Sequence, residues 1–486
     1  GDYFAIATLG FGEIVKLILA NSGPDSIFGG AMGVIGIPKK TNLIWVIIFT
    51  VISIYVLRSI IKSDYGKNFV AIQQQEVAAE MVGINVFKVK MTSLLISAFY
   101  AGIAGGLFAF YMTYISPGTF NEVKSTDLTT AVVMGGINSI SGPILCGFFL
   151  ILLPEVLRSL IEWRLVIYGL IFVLVMIFKP EGLFGYKELP FEKVTAFAKK
   201  LIKPGEKRTL WRNVQRIGGL QFVEGRNNRI LEIDSLAIYF GGLKAIDGVS
   251  LYIEKNDFLG LIGPNGAGKS TLFNAITGNI VPTMGTIAFN NTVINKKRPD
   301  QICHLGISRT FQNIRLFPKM TAIENVSIGM NSIPKYSLLQ AAIRSGKVEQ
   351  INRETIDQAY YYLDLLGIAG YKDNLAGSLP YGLQRRLEIA RAIATKPELL
   401  LLDEPAAGMN NDECNELVEV LKKIHNELGF TVALIEHHID FVMNLCNRLY
   451  VLNLGKILAE GTPEAVQNDP NVIKAYLGER RNGRGK

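Results

Sequence analysis

The chain has 486 residues, 49% of them hydrophobic, and a net charge of +8. That length exceeds one ordinary domain and predicts two or three. Apolar runs gather before Pro180 and charged residues after it, which excludes a uniformly soluble protein and predicts that the first part lives in lipid.

The positive charge does not point to nucleic acid. Between positions 187 and 229 there are eleven Lys/Arg against four Glu, so nearly the whole excess follows directly on the last apolar run. A basic juxtamembrane stretch marks a cytoplasmic face beside anionic lipid, and no nucleic-acid motif accompanies it. Cys146, Cys303, Cys414 and Cys446 share neither ligand nor disulfide spacing, so they read as reduced thiols.

In chain order, residues 3–20 form a weak candidate span because Glu13 and Lys16 lie inside it. The chain opens at Gly1, already within an apolar pattern and without a signal peptide, and the reading is that its beginning is missing. Residues 42–61 (NLIWVIIFTVISIYVLRSII) are long and apolar enough to cross a bilayer, and residues 91–115 are so without any charge. Between them, 58–90 carries Arg58, Lys62, Lys67, Lys88 and Lys90, against two lysines in the 21–41 loop. Positive residues stay inside, so 58–90 is assigned to the cytoplasm.

If the basic segment after Lys179 is also inside, an even number of crossings separates the two. Residues 91–115 and the short apolar run 165–178 supply two. Residues 128–160, broken by Gly135-Gly136 and Ser141-Gly142-Pro143, then form either a re-entrant hairpin or two further crossings. The expected membrane portion is 1–185, followed by a basic linker over 186–229.

From about 230 the texture changes to short β-rich runs alternating with amphipathic helices, which is an α/β signature. Residues 231–238, 249–253 and 258–262 read as strands, and the polar stretch 334–366 as an inserted helical subdomain. This third portion, 230–486, holds the chemistry.

Residues Gly263, Pro264, Asn265, Gly266, Ala267, Gly268, Lys269, Ser270 and Thr271 fit GxxxxGK[ST]. The pattern follows the apolar run FLGLI and opens a helical one, the context that gives it meaning. Glycines let backbone N–H groups wrap a phosphate, and a helix N-terminus adds a favourable dipole. Lys269 would reach the β- and γ-phosphates, and the Ser270 hydroxyl would ligate Mg²⁺. Residues 399–402 (LLLL) lead into Asp403 and Glu404. Beside a phosphate loop, Asp403 would hold Mg²⁺ directly or through water, and Glu404 would orient the attacking water.

With these motifs in place, the C-terminal portion resembles an ABC transporter ATPase. The resemblance implies an α/β P-loop ABC ATPase domain with antiparallel β and helical subdomains, behind an α-helical membrane domain. It implies ATP and Mg²⁺ as cofactors, with Gln312 in RTFQNIRLF contacting Mg²⁺ and water and His437 in LIEHH contacting the γ-phosphate. Phe240 matches the adenine-stacking aromatic, with Tyr239 as its competitor. The signature segment departs from the usual LSGGQ. It reads Leu379, Pro380, Tyr381, Gly382, Leu383 and then Gln384, so Leu379, Gly382 and Gln384 would face a partner's ATP without the usual serine. Asn410 stands where the family's D-loop has aspartate.

LxYGxQRRLEIARA, the RTFQNIRLFPKMTAIENV block and the ending GKILAEGTPEAVQNDPNVIKAYLGE narrow the resemblance to ATPases of branched-chain amino acid importers, the Liv type, over 231–479. In the first portion, GDYFAIATLGFGEI, Gly83-Ile-Asn85, ISPG at 115–118, MGGI at 134–137 and SGP at 141–143 resemble the matching permease. VAAEMVG at 77–83 is similar to the importers' coupling motif, with Val77 replacing its leading Glu. It places Ala78, Ala79 and Gly83 on a short cytoplasmic helix that docks on an ATPase.

The resemblance implies further partners. These are a second ATPase subunit, identical or not, a second permease subunit and an extracytoplasmic substrate-binding protein, all acting on a small-molecule amino acid at a bacterial-type cytoplasmic membrane, with no nucleic acid. A sister substrate class is urea or short amides. Two rival readings are a soluble ABC ATPase acting in translation or DNA repair and a truncated, inert ATP-binding protein.

Overall fold

The computed structural model describes residues 2–23, 26–156, 164–180, 182–183, 185 and 228–477. The basic linker expected over 186–229 lies, but for its last two residues, outside them. The chain divides into two compact units, one built from residues 1–58 and 95–209 and the other from 59–94 and 210–486. The second unit thus joins a piece of the apolar portion to the α/β portion.

The first unit is helical. It contains α1 (Asp2–Ala20), most of α2 (Leu43–Ile61) and the greater part of α5 (Val86–Met112). Among the described residues, α2 and α5 are long and apolar enough to cross a membrane. Strands β1 (Val34–Ile35) and β2 (Tyr114–Ile115) pair antiparallel.

The stretch whose crossing number was open forms two helices, α6 (Glu122–Gly135) and α7 (Ser141–Val156). At 1.5 Å per residue these are about 21 and 24 Å long, each shorter than a bilayer core of about 30 Å. Their glycines explain the close turn between them. A Cβ on Gly142 would fall 2.1 Å from the Gly135 carbonyl oxygen, and one on Gly135 would fall 2.3 Å from the Gly142 carbonyl carbon. The last apolar run forms α8 (Arg164–Phe178).

In the second unit, residues 59–94 supply α3 (Asp64–Gln74), α4 (Glu76–Met81) and the start of α5. The rest builds two sheets. An antiparallel one runs β4 (Leu243–Glu254), β3 (Arg229–Phe240), β6 (Met284–Phe289), β7 (Thr292–Val293). The six-stranded sheet runs β12 (Lys456–Gly461), β11 (Arg448–Asn453), β5 (Phe258–Ile262), β10 (Thr431–Ile435), β9 (Leu399–Asp403), β8 (Ile307–Arg309). All neighbours in it are parallel except β12. Every residue of β9 and β10 is buried, the mark of parallel strands covered on both faces.

The helices of this part are α9 (Lys269–Ile276), α10 (Pro299–Leu305), α11 (Ala322–Met330), α12 (Leu338–Ala342), α13 (Gly346–Leu365) and α14 (Tyr381–Ala394). They continue with α15 (Asn411–Leu428), α16 (Ile439–Leu445), α17 (Pro463–Gln467) and α18 (Pro470–Leu477). The helical subdomain expected over 334–366 corresponds to α12 and α13. All four cysteines are free, and burial pushes the Cys303 thiol up to about 12.

Candidate active site

Parallel pairing decides where the site lies. Ile435 is in register with both Asp403 and Leu261, and Arg309 with Leu401, so β5, β8, β9 and β10 end side by side. The chain leaves those ends as the phosphate loop, the Gln312 loop, Glu404 and His437. In open α/β sheets, ligands bind at such carboxyl ends.

The phosphate loop lies close against its neighbours. Gly263, Gly266 and Gly268 have φ of +149°, +80° and +104°. A Cβ on Gly263 would fall 2.0 Å from the Leu452 carbonyl oxygen, and one on Gly268 would fall 2.5 Å from that of Ala245. Ala267 is buried, Asn265 and Ser270 are exposed, and Pro264 and Thr271 are half-buried. Lys269 Nζ donates to the carbonyls of Gly263 (2.7 Å) and Pro264 (3.0 Å), folded back over its own loop. Burial pushes the Lys269 ammonium below its usual range, while Glu404 and Asp403 oppose that shift.

Glu404 occupies a left-handed backbone conformation, φ +49°, which costs energy for a residue with a Cβ and persists only where surroundings hold it. Its own N–H donates to the Ile435 carbonyl (2.8 Å). Gln312 Nε2 donates to Glu404 Oε2 (2.9 Å), and His437 Nε2 lies 3.4 Å from Glu404 Oε1. The three residues expected to act on water and the γ-phosphate are therefore neighbours. Asp403 is 3% exposed. Its Oδ2 accepts from Arg309 NH2 (2.7 Å), and its Oδ1 is buried without a hydrogen-bond partner.

At the end of β3, Phe240 is half exposed while the Tyr239 hydroxyl is tied to Asp247 (3.0 Å). The free aromatic face is thus that of Phe240.

Among the described residues no hydrogen bond joins 379–384 to the phosphate loop. The three signature residues differ from one another. Leu379 is 5% exposed within the core, so its side chain anchors the segment and does not present a surface to a partner's nucleotide. Gln384 Nε2 donates back to the Leu379 carbonyl (2.7 Å). Gly382 lies in the first turn of α14, where Pro380 is the N-cap with no side-chain capping bond. The first N–H groups of such a helix have no intrahelical acceptor and remain available to an anion.

Asn410 Oδ1 accepts from Glu413 N–H (2.9 Å) and Glu413 Oε2 accepts from Asn410 N–H (3.0 Å), a capping box on α15. Asparagine caps as well as aspartate, so the departure from the D-loop pattern leaves the helix start intact. Asn410→Asp is expected to leave the thermal unfolding midpoint unchanged, whereas Asn410→Ala lowers stability by about 1 kcal/mol.

Sequence reading missed the supports. Glu436 is buried; its Oε2 accepts from the N–H groups of His437 (2.7 Å) and His438 (3.0 Å), and its Oε1 from Ala406 (2.8 Å). Arg385, fully buried on α14, donates to the carbonyl oxygens of Phe311 and Gln312 (2.8 Å to the latter) and pairs with Glu388 (2.9 Å). The signature helix thereby grips the Gln312 loop. On α18, burial pushes the Tyr476 hydroxyl above its usual range, and the Gly263 backbone opposes that shift.

Ala78 and Ala79 are fully buried and pack with Phe317, Met320 and Ile328. Gly83 has φ +88°, and a Cβ there would lie 2.8 Å from His304 Cε1. Helix α4, the expected coupling helix, is therefore seated on the α/β portion of its own chain. Polar contacts flank it. Lys319 N–H donates to Gln74 Oε1 (2.8 Å), Asn85 Nδ2 to Asp300 Oδ2 (3.1 Å), and Asn331 Nδ2 to the buried Asp64 (3.2 Å).

Comparison with known proteins agrees with this geometry. The family described as ABC transporter matches residues 246–407. The branched-chain amino acid transport system / permease component family matches 1–178, and the branched-chain amino acid ATP-binding cassette transporter family matches 456–481. The chain is 43% identical over 250 residues to the high-affinity branched-chain amino acid transport ATP-binding protein LivG of Salmonella typhimurium, covering 51% of this chain and 98% of that protein. It is 42% identical over 250 residues to BraF of Pseudomonas aeruginosa, with the same coverage. It is 38% identical over 258 residues to the probable LivG of Methanocaldococcus jannaschii, again covering 51% and 98%. Since these relatives match over nearly their whole length, the chain belongs to the ABC transporter ATPases of the branched-chain amino acid transport type, and it carries a permease-family segment in the same polypeptide.

Proposed function

We propose that this chain couples ATP hydrolysis to the uptake of branched-chain amino acids, with permease and ATPase portions acting in one polypeptide. The observation that carries the reading is the contact of Gln312 and His437 with Glu404 beside the phosphate loop, on the same compact unit that seats α4.

Each residue has a role that follows from its position. Loop N–H groups and Lys269 hold the phosphates, for which Lys269 leaves its carbonyl partners. Glu404 takes hydrogen bonds from the attacking water and directs it along the line of the breaking bond. Gln312 and His437 hold the Glu404 carboxylate; Gln312 would contact Mg²⁺ and water, and His437 the γ-phosphate. Phe240 stacks on the adenine, and Gly382 with the α14 N-terminus faces the nucleotide of a second ATPase subunit.

The side chains fit a hard divalent cation. Asp403 Oδ1 is buried and unpartnered, the Ser270 hydroxyl is exposed at the start of α9, and oxygen donors are what Mg²⁺ takes. When bound, it would neutralise charge between the β- and γ-phosphates.

Phe317, five residues beyond Gln312, packs in the cluster that holds Ala78 and Ala79. Movement of the Gln312 loop on hydrolysis would reach α4 through it. The full assembly would include a second permease and an extracytoplasmic binding protein.

Proteoliposomes holding the chain with these partners are expected to accumulate labelled leucine, isoleucine and valine when ATP is enclosed. Accumulation of urea or acetamide with none of leucine would overturn the solute assignment. Absence of ATP turnover would overturn the mechanism.

A further inference from the structure

Arg309 opens the RTFQNIRLF segment, in which the sequence assigned a role to Gln312 alone. It ends β8, and its side chain is 4% exposed. Its NH2 donates to Asp403 Oδ2 (2.7 Å), 94 residues away in the chain. Its NH1 donates to Asn274 Oδ1 (2.7 Å) on α9 and lies 3.3 Å from Thr277 Oγ1. The guanidinium carbon is 5.7 Å from the Phe273 ring and 5.6 Å from that of Phe311.

The plain alternative is an ion pair that stitches β8 to β9. Two features argue for more. An arginine that serves only to pair with a carboxylate favours the two-pronged arrangement, engaging both oxygens. Here one oxygen is taken and the other, Oδ1, is left buried with no partner. In addition, the second arm of the guanidinium is anchored on α9, which begins at Lys269 and Ser270. A buried ion pair contributes little net stability by itself, so its occurrence here calls for another use.

We propose that Arg309 is a positioning residue for the metal of the nucleotide complex. It fixes the Asp403 carboxylate so that Oδ1 faces the metal position, and it locks that carboxylate to the helix bearing Ser270. Three residues further on, the same segment carries Gln312. One guanidinium thus ties the end of β9, which holds Asp403, to α9, which holds Ser270, from the segment that carries Gln312. This is how groups behind a metal ligand set its orientation. The inference rests on the ATPase reading proposed above.

The test measures binding of a fluorescent ATP analogue to the purified full chain, first in EDTA and then across a Mg²⁺ titration. Lysine keeps the charge of Arg309 but offers one ammonium, which cannot reach Asp403 and Asn274 together. Arg309→Lys is expected to leave metal-free affinity within about threefold and to raise the Mg²⁺ midpoint by roughly 10–100-fold, the usual loss when such a support is removed. An unchanged Mg²⁺ midpoint, or an equal loss with and without metal, would overturn the proposal. If the lysine variant does not fold, Asn274→Leu decides on the same two criteria, because it removes the α9 anchor and leaves the ion pair. A wild-type chain with no Mg²⁺-dependent binding would instead overturn the ATPase reading itself.

Discussion

Glu404→Gln is expected to bind ATP as tightly as the wild-type chain and to lose steady-state hydrolysis by roughly 10²–10⁴-fold, the usual contribution of a positioned general base. The substitution removes one negative charge and keeps the shape. The amide can still sit between Gln312 and His437, which lie 2.9 and 3.4 Å from the carboxylate. Only the group that accepts the water's proton is lost. Lys269 and the loop N–H groups, which bind phosphate, are untouched. A colorimetric phosphate assay beside a nucleotide-binding titration separates the two effects. Unchanged turnover would remove Glu404 from the mechanism.

The second large effect concerns α4. Ala79 is fully buried among Phe317, Met320 and Ile328, so Ala79→Leu forces three extra carbons into a filled contact. Overpacking of this kind costs about 1–3 kcal/mol, enough to shift the seated population about 5- to 150-fold. ATP turnover is expected to persist, because among the described residues no nucleotide-site residue belongs to this cluster, while ATP-driven accumulation of solute falls by at least tenfold. Val77→Leu is the control, since Val77 is 38% exposed at the same helix. If Ala79→Leu lowers hydrolysis and accumulation in equal proportion, α4 is not the coupling element.

How much of this was legible beforehand depended on whether a feature was local. The phosphate loop could be read from residues 263–271 because glycine spacing, lysine and hydroxyl lie on one short segment and act together. Strand β5 was placed at 258–262, the bounds it has, because a buried strand needs an unbroken apolar run. Strands β3 and β4 run longer than the apolar runs that suggested them, reaching Phe240 and Leu243. Antiparallel pairing recruits polar residues that periodicity alone does not mark. The break between α6 and α7 could be anticipated from the glycines, whereas their length relative to a bilayer could not.

The sequence by itself therefore determined the chemistry on offer: a phosphate-binding loop, paired carboxylates, a glutamine, a histidine and two long apolar helices. Each depends on residue type and short spacing. Tertiary structure alone decided which of these meet and what holds them. Parallel register brings Gln312, Glu404 and His437 together although more than 120 positions separate the first from the last. Arg309, Arg385 and Glu436 stand inside motif segments, but their supporting roles could not be read there, because Asp403, Gln312 and Ala406 lie 94, 73 and 30 residues away. Leu379 shows the same limit from the other side. Its motif gives it a place in the signature segment, and packing put its side chain in the core, because an apolar side chain next to a helix start gains more from burial than from exposure.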